Sequence, residues 1–587
     1  MSSLKKLLFL LNSRERKQVG LLLIMTLIMA LLEMFGVASI LPFMIVLTNP
    51  DILETNNILR IIFDKSIFFG VQNSQQFLFA MGMCVFLIFI LSIIFKALTT
   101  YFQIRFIQMR EFSIGKRITE AYLHQPYSWF LDRNSADLGK TILSEVGQVI
   151  GGGMRPWIEL ITRSFTTIAL ITMLIIINFQ LTLIVSIFLG STYLIVYYFI
   201  KKIIKIIGSE RLKNNELRFK AISEAFGAIK EIKIGGLEQA YINNFSKPAE
   251  KFARAHATNQ LTVQLPHFFL EAFAFGGILL MTLYLVKVSN SFSSAIPIIS
   301  LYVFAGYRLM PAIQQIYSSF NQLTFMKPAI DKLHSDLISL KPIDQTSVGE
   351  IINVNKTINL RKIDYRYPNS SKLTLKNINL SIPAKSMVGI VGSTGSGKTT
   401  TVDVILGLLK AENGFLEVDG REINNKNIRS WQRNIGYVPQ NIYLSDNTIE
   451  ENIAFSSNAK DIDYNSVVRS SKIAKLHDFV MDELPKKYQT IVGERGIRLS
   501  GGQRQRIGIA RALYHNPSIL VFDEATSALD NQTEKVIMEA INNLKKKITI
   551  ILIAHRLNTV KNCDIIYKLD NGKLVATGTF DEVFSIK

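Results

Sequence analysis

Long apolar stretches fill the first 326 residues and then stop. Among Asp, Glu, Lys and Arg, residues 18–50 carry only Glu33, residues 77–95 and 164–200 carry none, residues 255–286 carry only Glu271, and residues 288–326 carry only Arg308. A helix needs about 20 apolar residues to cross a hydrocarbon layer roughly 30 Å thick. Each stretch therefore predicts a span, and residues 164–200 are long enough for two, turning near Asn178-Phe179-Gln180. Six transmembrane helices are expected. The segments 96–163 and 201–260 are too long for plain loops and helical in composition, which predicts that the spans continue as helices into the cytoplasm. After residue 356 the pattern shortens. Asn359–Tyr367 and Leu373–Ile382 alternate as half-buried strands do, whereas Met387–Val391, Ile519–Phe522 and Ile548–Ile553 are short, mostly apolar runs suited to buried strands. Thr400–Leu409 reads as a helix. The expected organisation is a membrane α-helical domain over residues 1–340, a linker over 341–356 containing Pro342 and Gly349, and an α/β domain over 357–587.

Charge orients the membrane half. Lys5, Lys6, Arg14, Arg16 and Lys17 precede the first span, Arg105, Arg110, Lys116 and Arg117 follow the second, and Lys201, Lys202 and Lys205 follow the fourth. Basic loops stay inside, so both termini and the α/β domain are expected in the cytoplasm and residues 51–76 outside. The formal charge of +20 and the mean hydropathy of +0.24 then need no nucleic acid: loops beside anionic lipid account for the excess. Only two cysteines are present, Cys84 in a span and Cys563 in the α/β domain, so no disulfide framework is expected. Leu7–Leu11 is a short apolar patch in a basic context and reads as an interfacial helix leading into the first span.

The chemistry lies in the α/β half. Gly392-Ser393-Thr394-Gly395-Ser396-Gly397-Lys398-Thr399 fits the phosphate-loop spacing G-x-x-x-x-G-K-[ST] and stands between a predicted strand and a predicted helix that opens at Thr400. Glycine-freed backbone amides and the helix N-terminus there suit a triphosphate, Lys398 reaches its outer phosphates, and the Thr399 hydroxyl suits Mg2+. Asp523 and Glu524 end the apolar strand 519–522, which places Asp523 for the Mg2+ shell and Glu524 as general base. ATP and Mg2+ are the expected cofactors.

Leu499-Ser500-Gly501-Gly502-Gln503 lies between these motifs. In this order, phosphate loop, LSGGQ and strand-borne Asp-Glu resemble the nucleotide-binding domain of ATP-binding cassette (ABC) transporters, over residues 350–587. The resemblance implies further roles. Tyr367 matches the aromatic residue that stacks on adenine. Gln440, closing Ile435-Gly436-Tyr437-Val438-Pro439, matches the glutamine that meets Mg2+ or the attacking water. Ser527-Ala528-Leu529-Asp530 matches the loop crossing the nucleotide dimer interface, and His555 matches the histidine on the γ-phosphate. Thr490–Gly496 is similar to a segment of the exporters. In that family the LSGGQ caps ATP bound by the opposite cassette, which implies that this chain is a half-transporter acting as a homodimer, or as a heterodimer with a related chain. Gln125–Asn134 and Phe226–Gly236 resemble the turns that touch the cassettes.

Four charges interrupt the spans: Glu33, Lys96, Glu271 and Arg308. Intramembrane charges are functional hypotheses by default. Two readings stand, ion pairs that steady the bundle, or a basic belt of Lys96, Arg308 and His267 for an anionic headgroup. Glu33-Met34-Phe35-Gly36 with Pro42-Phe43, Tyr307-Arg308-Leu309-Met310-Pro311, and Pro439-Gln440-Asn441-Ile442-Tyr443-Leu444 resemble the bacterial flippases of lipid-linked oligosaccharides and their polysaccharide-exporting relatives. The resemblance departs at His267, where a stronger base is expected. It implies ATP-driven flipping of a lipid-linked glycan across the bacterial plasma (inner) membrane. A multidrug or lipid A exporter, a peptide exporter and, in another class, an ATP-gated channel are the alternatives.

Overall fold

A computed structural model describes residues 3–68, 71–288, 292–340, 349–368, 370–456, 461–493, 496–523, 531–554 and 557–584. The chain divides into two compact units, residues 1–125 with 133–342, and residues 126–132 with 343–587.

The first unit is helical. Asn12 and Glu15 form a capping box that starts the helix Ser13–Ala38, which continues after Ser39 as Ile40–Thr48. The helices Ser74–Leu123, Phe179–Gly227, Glu238–Val288 and Phe292–Ser339 run for 50, 49, 51 and 48 residues. At 1.5 Å per residue each is roughly 75 Å long, more than twice a hydrocarbon core. Among the described residues, four stretches are long and apolar enough to cross a membrane: 13–48, 74–123, 135–177 and 296–339. The expected turn near Asn178 is present. The helix Arg155–Ile177 ends there, and the Asn178 side chain accepts from the Leu181 amide to start Phe179–Gly227. Many large apolar side chains face outward, among them Leu21, Ile24, Phe86, Ile94 and Leu194. Such a surface needs an apolar solvent.

Two features were not read from the sequence. Residues 57–67, expected as exterior loop, form a helix started by Asn56, whose side chain accepts from the Ile58 and Leu59 amides. Residues Thr141–Glu145 and Ile150–Met154 are π-helical. Beside the first of these, fully buried Arg211 pairs with Glu145 at 2.9 Å, and Asn215 donates to the same carboxylate at 2.6 Å.

The second unit is built on two sheets. Strands β1 (Thr357–Tyr365), β2 (Leu375–Pro383), β4 (Asn413–Val418) and β5 (Arg421–Ile423) form an antiparallel sheet in the order β2-β1-β4-β5. Strands β3 (Met387–Gly392), β6 (Ile435–Val438), β7 (Ile519–Asp523), β8 (Thr549–Ile553), β9 (Ile565–Asp570) and β10 (Lys573–Gly578) form the second, in the order β10-β9-β3-β8-β7-β6. All neighbours in it pair in parallel except β9 and β10. Every residue of β7 and β8 is buried, as their continuous apolar runs require. The helix after the phosphate loop spans Lys398–Ile405 and stops earlier than its pattern suggests, before Gly407 at φ +66°.

Candidate functional site

The ends of β3 and β7 lie at the carboxyl edge of one parallel sheet, the usual place for a ligand in open α/β folds. From β3 the chain enters the loop Gly392–Thr399. Gly395 and Gly397 have φ of +81° and +100°, values that L side chains rarely adopt, and a Cβ at Gly397 would lie 2.7 Å from Leu375. The loop is thereby wrapped close to the antiparallel sheet, where Leu375 opens β2. Lys398 is 5% exposed and its Nζ donates to the carbonyls of Gly392 and Ser393, 3.0 Å each, so the loop curls around its own ammonium. The Ser396 hydroxyl is buried and has no hydrogen-bond partner among the described residues. Ser393, Thr394 and Thr399 are exposed. A ring of this kind fits a nucleotide triphosphate: it offers a buried cation, an unsatisfied hydroxyl and the N-terminus of a helix.

Tyr367 follows β1, and its hydroxyl lies 2.9 Å from that of Thr400, which brings the expected adenine residue to the first turn of the phosphate-loop helix. Its ring meets that of Tyr365 edge to face at 5.2 Å. Asp523 is buried at the end of β7. Two groups beside it were not foreseen. Tyr437, on β6, donates its hydroxyl to Asp523 Oδ2 at 3.3 Å. Asp403, buried on the Lys398–Ile405 helix, has its carboxyl pushed up to about 6, first by burial and then by the negative charge of Asp523. Burial and the same carboxylate push the Tyr437 hydroxyl up, so it stays protonated. Asp403 stands four residues after Thr399, on the same side of the helix; that spacing was the available signal. Gln440 is exposed just beyond β6. Glu524, Ser527, Ala528, Leu529, Asp530 and His555 lie outside the described residues.

The LSGGQ segment has a local physical explanation. Ser500 caps the helix Gly501–Leu513: its Oγ accepts from the Gln503 amide at 3.2 Å, while the Gln503 side chain accepts from the Ser500 amide at 2.8 Å. This is the S-x-x-Q capping box. Leu499 is buried and anchors it, and Ser500 is exposed. Because Oγ already accepts, its proton and the amides of Gly501 and Gly502 are left to meet an anion from outside.

In the first unit, Lys96 Nζ lies 2.7 Å from Glu33 Oε1, and Arg308 Nη1 lies 3.5 Å from the same oxygen. Glu33 is 3% exposed. The structure thus joins three of the four intramembrane charges, two cations on one carboxylate. His267 is half-buried and touches Phe268, and its described contacts do not include this cluster. Glu271 is exposed and makes no ion pair among the described residues.

Comparison with known proteins covers both units. A family model described as the ABC transporter transmembrane region matches residues 18–311, and one described as ABC transporter matches residues 375–527. An ATP-dependent lipid A-core flippase of Cupriavidus pinatubonensis is 30% identical over 79% of this chain and 78% of its own length. That of Ralstonia nicotianae is 29% identical over 80% and 79%. The alpha-hemolysin translocation ATP-binding protein HlyB of Escherichia coli is 39% identical, over 49% of this chain and 40% of its own. A solved structure of a bacterial Atm1-family ABC exporter with ATP bound superposes with a TM-score of 0.76 at 21% identity, covering 98% of this chain and 97% of that one.

Proposed function

The chain belongs to the ABC transporters, as an exporter-type half-transporter with one transmembrane region and one ATP-hydrolysing cassette, and on that premise we propose that it flips a lipid-linked oligosaccharide or related glycolipid across the bacterial plasma (inner) membrane. The observation that carries this reading is the cluster at Glu33. One carboxylate shared by Lys96 and Arg308 leaves the site with a net positive charge in apolar surroundings, where an unbalanced charge is costly. An anionic headgroup such as a pyrophosphate balances it, and the Arg308 guanidinium can bind such a group through two parallel hydrogen bonds. Relatives named as flippases of lipid A-core support a lipid with a polar head over a peptide. The match to HlyB keeps peptide export as the second reading.

In this reading six helices cross the membrane, both termini are cytoplasmic, and two copies pair. Lys398 and the amides of residues 392–400 hold the triphosphate, with Tyr367 against adenine. Thr399, Gln440 and Asp523 would hold Mg2+, which when bound would offset the phosphate charge. Glu524 takes the proton of the attacking water, His555 contacts the terminal phosphate, and Ser500 with Gly501 and Gly502 serves the nucleotide of the opposite copy. Residues 527–530 line the interface. Binding draws the cassettes together and hydrolysis releases them, a two-state element that the membrane helices follow.

Proteoliposomes carrying a labelled polyprenyl-pyrophosphate glycan test the substrate. ATP-dependent movement of the label between leaflets is expected. Absence of movement, with ATPase stimulated by a peptide instead, would turn the assignment to the second reading.

A further inference from the structure

Tyr437 and Asp523 meet across two neighbouring strands. Strands β6 and β7 pair in parallel with Tyr437 opposite Val521 and Val438 opposite Phe522, so the hydroxyl on one strand reaches the carboxylate that ends the other, at 3.3 Å. Sheet register sets this contact, and the Tyr437 ring is packed against the cassette core. Both partners are therefore held by rigid structure. A tyrosine hydroxyl, with an ordinary pKa of about 10, is a donor at neutral pH.

A carboxylate that serves a cation through water must present one orientation. The terminal torsion of a carboxylate is intrinsically broad, and a donor held on one oxygen by strand register narrows it. The strand that carries Tyr437 runs on within three residues to Gln440, the other side chain assigned to the metal. We propose that Tyr437 is a positioning residue for the divalent cation: its hydroxyl locks the Asp523 carboxylate so that the cation's water shell meets a preset acceptor. The inference rests on the reading of Asp523 as the Mg2+ carboxylate. It gives Tyr437 no contact with substrate or nucleotide. Outer partners of metal-binding groups commonly change metal affinity by 10-fold or more.

The test uses Mn2+ as a spin-active substitute for Mg2+, with the full-length protein in detergent and a non-hydrolysable ATP analogue. Tyr437→Phe removes one oxygen and keeps the ring. Electron paramagnetic resonance should report a Mn2+ Kd raised by roughly 10-fold, while nucleotide affinity in EDTA and the melting temperature stay at wild-type values. In turnover, the KM for Mg2+ should rise and kcat should recover at saturating Mg2+, a split that general loosening of the cassette would not produce. Asp523→Asn is measured alongside. Weakened Mn2+ binding in Asp523→Asn with wild-type binding in Tyr437→Phe would overturn the inference alone. Wild-type binding in Asp523→Asn would remove the metal reading of Asp523, and this inference with it.

Discussion

Lys96 and Glu33 form an ion pair of 2.7 Å, and the carboxylate oxygen they share is also approached by Arg308 at 3.5 Å. Ion pairing and headgroup binding, which stand as rivals when the charges are read singly, become compatible in a cluster of two cations and one anion. Either cation can neutralise Glu33 and the other is left over. Arg308→Gln or Lys96→Gln should therefore keep a neutral pair and melt within a few degrees of wild type, yet lose flipping of an anionic glycolipid by 10-fold or more. Glu33→Gln should be the destabilising change, by up to about 3 kcal/mol, because it leaves two half-buried like charges without their buried counter-charge. Melting curves and reconstituted flipping decide: full flipping in both cation variants would make the cluster purely structural.

Glu524→Gln should reduce ATP turnover by at least about 100-fold, the scale on which a general base acts, while ATP binding persists. The amide keeps the shape of the carboxylate and cannot accept the proton. Phosphate release and ATP-dependent association of the cassettes in detergent measure the two parts. Turnover at the wild-type rate would take Glu524 out of the role proposed for it.

The exposed Ser500, capped by Gln503, should act on the nucleotide held by Lys398 of the other copy. A forced heterodimer with Ser500→Arg in one chain and Lys398→Ala in the other confines both defects to one composite site and leaves one whole. Both changes in one chain damage both sites. Residual ATPase should be higher in the first arrangement; equal residual rates would contradict a shared site.

Asp403 gives a pH dependence with a definite sign. Its folded-state pKa is raised from 3.8 to about 6 by burial and by Asp523, so the folded cassette binds this proton more tightly than the unfolded chain does. The contribution of Asp403 to stability is favourable to the fold at low pH and is lost as pH rises from about 4 through 6, a change on the order of 3 kcal/mol. Asp403→Asn should raise the melting temperature at pH 8 and change it little at pH 4. Equal effects at both values would show that the carboxyl is not raised.

Much of the architecture was legible because it depends on local periodicity. The long uncharged runs, the helix break at Asn178 and the all-buried strands β7 and β8 follow from which residues can face lipid or sit inside a sheet. The helix Asn57–Ile67 was missed although Asn56 is a strong cap, because a short amphipathic turn among polar residues resembles loop when only long spans are sought. The π-helical turns at Thr141–Glu145 and Ile150–Met154 leave no periodic mark and depend on packing.

The sequence by itself determined where the long apolar runs end and the α/β pattern begins, and the order and spacing of Gly392–Thr399, Leu499–Gln503 and Asp523, since hydropathy and motif spacing are properties of neighbours along the chain. Tertiary structure alone decided which distant charges meet. Glu33, Lys96 and Arg308 stand on three helices, Tyr437 and Asp523 on two strands separated by 80 residues and more, and no pattern along the chain encodes their distances. Coulomb and hydrogen-bond energies depend on separation in space, and only helix packing and strand register set it.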